Sequence, residues 1–167
     1  EPETGNLCVA ALREKLQRVQ GTSHQPKALV AVHLAGQPCD LAEIGALCRQ
    51  YGVHLIEDAC HALGASYQGQ PIGSCAHSDM TVFSFHPVKP ITTGEGGAVT
   101  TRSAELAAKL RLYRSHGITR DPEQLSAPTP GGWYYEQQVL GFNYRLTDIQ
   151  AALGASPALN AAIENVR

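Results

Sequence analysis

The sequence predicts an α/β fold: a mainly parallel sheet with helices on both faces. Three observations predict it. Short β-branched runs alternate along the chain with segments of helical periodicity. Runs such as KALVAVHL are apolar enough to be buried strands. The helical segments between them are long enough for right-handed crossovers.

Each element follows in order. Residues 6–20 place Leu7, Ala11, Leu12, Leu16 and Val19 on one face of an amphipathic helix. KALVAVHL is the first strand. After Pro38, Asp40 is placed to cap a second helix that runs to about Tyr51 and stops at Gly52. VHLIED, DMTVFSFH and GGAVTT are further strands, and Ser103 caps a helix over 104–115 that ends at His116-Gly117. Residues 117–140, rich in proline, glycine and aromatics, form a long connection of the kind that often carries function. A last helix opens near Thr147 or Asp148 and reaches Gly154.

Composition excludes several classes of function. A net charge of −2 and 17% charged residues give no electrostatic footprint for nucleic acid or an anionic membrane. No window of 18 apolar residues is present, and the acidic start Glu1-Pro2-Glu3 does not resemble a signal peptide. The five cysteines are odd in number, scattered and free of CxxC spacing, which points to a reducing cytoplasm rather than disulfides or zinc. The seven histidines show no i, i+4 pairing on a helix, so no metal is expected.

In such a sheet, ligands bind beyond the carboxyl ends of the strands. HLIED delivers Asp58 there, and the strand ending in FSFH delivers Lys89 on a proline-flanked loop. A carboxylate and a primary amine so placed suit pyridoxal phosphate, which needs a lysine for attachment and an acid to keep its ring nitrogen protonated. Taken singly, Asp58 also reads as a helix N-cap and Lys89 as a solvated loop lysine. Lys89 is one of only four lysines and has no charge run beside it.

The segments VHLAGQPCDL, HLIEDACHALGASYQG, VFSFHPVKPITTGEGGAVTT and GFNYRLTDIQAALGASP follow one another in an order that resembles the DegT/DnrJ/EryC1/StrS sugar aminotransferases. That resemblance implies the large domain of the aspartate-aminotransferase fold (fold type I) and pyridoxal 5′-phosphate as cofactor. It also implies transfer of an amino group from L-glutamate to a 4-keto-6-deoxy nucleotide sugar. Within the family the motifs are most similar to the branch acting on UDP-4-keto-6-deoxy-N-acetyl-L-altrosamine, on the route to pseudaminic acid.

Residue by residue, the resemblance implies that Lys89 is the cofactor-bearing lysine and the amine that moves the proton. Asp58 is the partner of the ring nitrogen, His61 lies near the ring and its phenolic oxygen, and Ser84 binds the phosphate. Asn143 matches a residue sent to that phosphate by a neighbouring subunit, so a homodimer with shared sites is expected. Arg145 and His86 are candidate substrate contacts. Residues 1–156 are expected to form part of the cofactor-binding large domain and 157–167 a divergent tail, with the family's N-terminal third and C-terminal small domain absent. Two alternatives stay open. One is another pyridoxal-phosphate chemistry, such as a sugar dehydratase, in which histidine replaces the lysine. The other is a catalytically inactive truncated fragment.

Other residues have plainer readings. His33 reads as a satisfied strand-end histidine or as a group facing the site. Cys60 reads as a small packed residue, and Glu95 with Gly94, Gly96 and Gly97 as shaping a loop that closely approaches its neighbours. Trp133, Tyr134 and Tyr135 suit either sugar contact or dimer packing.

Overall fold

The computed structural model describes residues 1–156, so the divergent tail expected at 157–167 lies outside the described residues. The elements in chain order are α1 (Val9–Val19), β1 (Ala28–Val32), α2 (Leu41–Tyr51), β2 (His54–Asp58), β3 (Ser66–Tyr67), β4 (Gln70–Pro71), β5 (Met80–Ser84), β6 (Gly97–Thr100), α3 (Ala104–Arg114), β7 (Ile118–Thr119), β8 (Glu136–Gln137) and α4 (Asp148–Gly154). The chain divides into two compact units: Glu1–Arg102 with the described residues from Asp148 on, and Ser103–Thr147.

The first unit is built on a four-stranded sheet of order β1-β2-β5-β6. β1, β2 and β5 are parallel, with Val32 opposite Asp58 and Asp58 opposite Val82. β6 runs antiparallel to β5, placing Ser84 opposite Gly97. The loop between β5 and β6 contains no helix, so the chain returns beside its own strand instead of crossing over.

Strand alternation sorts the sheet into two unlike faces. Ala31, Leu55 and Phe83 are buried in one cluster with Leu12 and Leu16 of α1 and with Ile44, Leu47 and Cys48 of α2. Burying each large aliphatic side chain contributes about 1.5–3 kcal/mol. The opposite face carries Val30 and Val32 at 55% and 43% exposure and Val99 at 42%. β1 is therefore one-sided where the apolar run suggested burial on both sides. Within this unit the buried cluster joins α1 and α2 to a single face of the sheet.

Helix ends follow the sequence signals in part. Gly52 closes α2 in the left-handed region, its N–H donating to the carbonyls of Arg49 and Cys48. Asp40 precedes α2 but makes no side-chain cap; its Oδ1 instead accepts the Tyr67 hydroxyl. Along α1, Leu12 and Leu16 are buried as expected, Leu7 and Val19 are half-buried, and Ala11 faces solvent. The hairpin of β3 and β4 turns through Gln68 and Gly69, both at positive φ.

In the second unit, Ser103 caps α3 by accepting the Leu106 N–H at 3.2 Å. The chain leaves α3 through His116 and Gly117, at φ +62° and +69°. A Cβ on Gly117 would lie 1.9 Å from the Val139 carbonyl oxygen, so only glycine fits there. β7 pairs antiparallel with β8 inside the long connection. Among the described residues, no helix is long and apolar enough to cross a membrane.

Candidate active site

The site is assembled at the carboxyl ends of β2 and β5, in the first unit. Asp58 is the last residue of β2 and points to the face opposite the helix-packed core. No helix follows it, which removes the helix N-cap reading. Its Oδ1 accepts the Cys60 N–H at 3.1 Å, closing a tight turn. The carboxyl is held below the usual carboxylate range, first by hydrogen bonding from Cys60. Burial opposes that shift, and the positive charges of His61 and Lys89 reinforce it. Asp58 and Lys89, 31 positions apart in the sequence, thus belong to the end of β2 and to the loop that follows its parallel neighbour β5.

Ser84 ends β5 two residues beyond Val82, the register partner of Asp58, so both side chains share one face. Its hydroxyl accepts the His86 N–H at 3.3 Å. The chain then turns, with the Lys89 N–H donating to the His86 carbonyl at 2.9 Å. The Phe85 carbonyl takes both the Thr93 N–H and the Thr92 hydroxyl at 3.1 Å. The Glu95 carbonyl accepts the Thr93 hydroxyl at 2.7 Å and the Gln150 side chain at 2.9 Å. Lys89 is therefore half-buried on a loop fastened at several points.

Of the glycines after it, Gly97 makes the close approach the sequence suggested, whereas Gly94 has open space around it and is set apart by its φ of +81°. A Cβ on Gly97 would lie 2.6 Å from the Phe83 carbonyl oxygen, too close for any side chain without moving a strand. His86 shapes the loop: its carbonyl and Nδ1 accept the N–H groups of Lys89 and Val88. Its Nε2 also stands 4.0 Å from the Glu95 carboxylate.

Cys60 fits the packed reading. Burial and the neighbouring Asp58 push its thiol up to about 11, the reverse of what a nucleophilic cysteine requires. His61 is exposed beside Asp58. Asn143 and Arg145 belong to the second unit. Asn143 forms an isolated bridge with Ser115, and the Arg145 guanidinium is 3.5 Å from His116 Nε2. Trp133 and Tyr135 are exposed, while the Tyr134 hydroxyl donates to Glu136 at 3.0 Å.

One group near the site was not anticipated. Glu57, 2% exposed, points into the core directly behind Asp58. Its carboxylate accepts His33 Nε2–H at 2.9 Å, the Thr81 hydroxyl at 3.0 Å and the Ser78 hydroxyl. Burial works to raise the Glu57 carboxyl, but those three hydrogen bonds bring it below its ordinary value. His33 is fully buried, which settles it as a satisfied histidine. Burial disfavours a charge on its ring, and the interactions with Cys39 and Glu57 work in the opposite direction. Against that, Nδ1 accepts the Cys39 N–H at 3.1 Å, so a second ring proton would break this hydrogen bond. The signal for Glu57 was parity: in HLIED it shares its face with Leu55.

The family model for DegT/DnrJ/EryC1/StrS aminotransferases matches residues 1–161. The chain is 46% identical over 150 residues to the UDP-4-amino-4,6-dideoxy-N-acetyl-β-L-altrosamine transaminase of Campylobacter jejuni, covering 90% of this chain and 36% of that protein. It is 42% identical over 154 residues to the GDP-perosamine synthase of Caulobacter vibrioides, covering 92% and 36%. Among solved structures it resembles Helicobacter pylori PseC, an aminotransferase involved in the biosynthesis of pseudoaminic acid. That match has a TM-score of 0.78 and 36% identity, and covers 95% of this chain and 38% of that one. The chain thus spans well under half the length of the relatives it matches.

Proposed function

The chain belongs to the DegT/DnrJ/EryC1/StrS aminotransferase family, and from that premise we propose that it carries the catalytic lysine and acid of a pyridoxal-phosphate-dependent nucleotide-sugar transaminase. The amino group comes from an amino acid, L-glutamate in this reading. It goes to the keto carbon of a 4-keto-6-deoxy nucleotide sugar, with UDP-4-keto-6-deoxy-N-acetyl-L-altrosamine as the first candidate. The observation that carries the reading is that Asp58 and Ser84 share one face at the carboxyl ends of two adjacent parallel strands, with Lys89 on the loop that leaves the second of them.

These residues fit the cofactor. When bound, pyridoxal phosphate supplies an electron sink that stabilises negative charge developing beside the transferred nitrogen. Asp58, held ionised, supports a proton on the ring nitrogen. Ser84 offers a hydroxyl to the phosphate on the same face. Lys89 supplies the amine for attachment and then carries a proton to and from the substrate carbon. The backbone hydrogen bonds of its loop fix the point from which the Lys89 side chain projects. In this reading His61 meets the ring edge.

Several roles belong to the whole protein and are proposed with it. Asn143 contributes to the phosphate site of a partner subunit in a homodimer, and Arg145 and His86 meet the substrate. A reducing, cytosolic setting is consistent with the free Cys8, Cys39, Cys48, Cys60 and Cys75. Residues 1–156 correspond in this reading to part of the large domain.

The test is chemical mapping. The protein is incubated with pyridoxal phosphate, reduced with borohydride, digested and examined by mass spectrometry. The pyridoxyl group is expected on Lys89; its appearance on Lys15, Lys27 or Lys109 instead would overturn the assignment.

A further inference from the structure

The buried cluster behind the site has no part in the chemistry proposed above, yet it includes the residue before Asp58 and bonds to the Asp58 carbonyl. Glu57 precedes Asp58 on β2, and strand alternation sends its side chain to the opposite face. Its three partners come from three separate segments. His33 follows β1, Thr81 lies within β5, and Ser78 sits in the turn before β5. The same His33 donates its backbone N–H to the Asp58 carbonyl at 3.0 Å. On the other side, the Ala59 N–H donates to the Val82 carbonyl at 2.9 Å. Asp58 is thus gripped through its backbone from β1 and β5, and through its neighbour's side chain from the core.

A carboxylate buried to this depth is not an economical way to stabilise a sheet. Apolar side chains of similar volume commonly serve as well or better, while a buried polar cluster fixes one arrangement against its alternatives. Three hydrogen bonds on one carboxylate hold the Glu57 Cα–Cβ direction. Through the planar peptide and the pleat, that sets the direction in which Asp58 leaves the opposite face.

We propose that Glu57, with His33 and Thr81, is a positioning residue for Asp58: the cluster holds the end of β2 so that the Asp58 carboxylate is aimed at the ring nitrogen of the bound cofactor. This rests on the functional reading given above. Glu57 touches neither cofactor nor substrate; it acts through Asp58.

The experiment uses the protein loaded with pyridoxal phosphate labelled with nitrogen-15 in the ring, whose chemical shift reports protonation of that nitrogen across a pH series. In the unsubstituted protein the ring nitrogen should stay protonated to high pH. Glu57→Gln keeps the shape but presents an amide to a cluster built for a carboxylate. It should lower the proton affinity of the ring nitrogen about tenfold, the lower end of the loss seen in metal affinity when the outer partner of a ligating side chain is removed. Thr81→Val removes one hydrogen bond at constant volume and should shift it in the same direction by a smaller factor, which keeps the test open if Glu57→Gln fails to fold. In the Asp58→Asn background neither substitution should add a further shift.

A lowered melting temperature with an unmoved ring-nitrogen titration would make the cluster merely structural and overturn the proposal. An equal shift in the Asp58→Asn background would do the same. Failure of the unsubstituted protein to take the label on Lys89 would instead bring down the functional reading itself. The borohydride map identifies that case separately.

Discussion

Replacing Asp58 by asparagine separates what its charge does from what its shape does. In Asp58→Asn the side-chain amide oxygen can still accept the Cys60 N–H now bonded at 3.1 Å, so the turn that ends β2 survives. Asp58→Ala loses that bond as well, at a further cost to folding of about 0.5–1.5 kcal/mol. The charge is a different matter. The Asp58 carboxyl is held low by Cys60, with His61 and Lys89 adding to it, and in the proposed function it is the acid that supports a ring proton. Removing one preorganised charge from a developing transition state costs about 3–4 kcal/mol, or two to three powers of ten in rate. Asp58→Asn in the complete protein should therefore bind pyridoxal phosphate, melt within a few degrees of the unsubstituted protein and lose kcat by roughly that factor. The assay pairs single-turnover amino transfer from glutamate with cofactor titration and thermal melting. A kcat within threefold of the original would show that Asp58 only closes a turn.

Three further outcomes follow from the geometry. Gly97→Ala, whose Cβ would stand 2.6 Å from the Phe83 carbonyl oxygen, should push β5 and β6 apart and cost about 1–3 kcal/mol in a urea melt; an unchanged midpoint would mean that the strand gives way freely. The folded-state values of Glu57 and Asp58 are both lowered, so their stabilisation is present above the ordinary carboxyl range of about 4 and is lost as pH falls through the folded values. Melting temperature should accordingly hold from pH 7 to about 5 and fall below about 4, less steeply in Glu57→Gln; a rise on acidification would contradict the lowered values. Val30, Val32 and Val99 leave apolar side chains on an open sheet face, so the chain should self-associate. Val30→Lys with Val99→Lys should reduce the sedimentation coefficient, and a monodisperse monomer before substitution would refute this.

Which parts of this molecule can be read from its sequence depends on how far apart the deciding residues lie. Strand ends are local: HLIED and TVFSFH each carry polar residues at the end of a β-branched run, so Asp58 and the segment from Ser84 to Lys89 were legible as strand-end groups, while the role of Ser84 came from the family resemblance alone. The α2 stop and the α3 start were local too, since Gly52 and Ser103 act through bonds to residues within four positions. Sidedness was not. In β1, Leu29 and Ala31 alternate with Val30 and Val32, and no polarity difference distinguishes the packed face from the exposed one. The cluster around Glu57 was less legible still. Parity alone places Glu57 beside Leu55 on the core face, where an unpaired carboxylate would be untenable. Its partners His33, Ser78 and Thr81 lie 24, 21 and 24 positions away, on other segments. Only the in-register pairing of three parallel strands brings them together, and that pairing also turns the ambiguous His33 into the partner of a buried acid. A carboxylate with the parity of the core is thus a reason to look on the neighbouring strands for the groups that satisfy it. Here those groups also hold the backbone from which Asp58 projects.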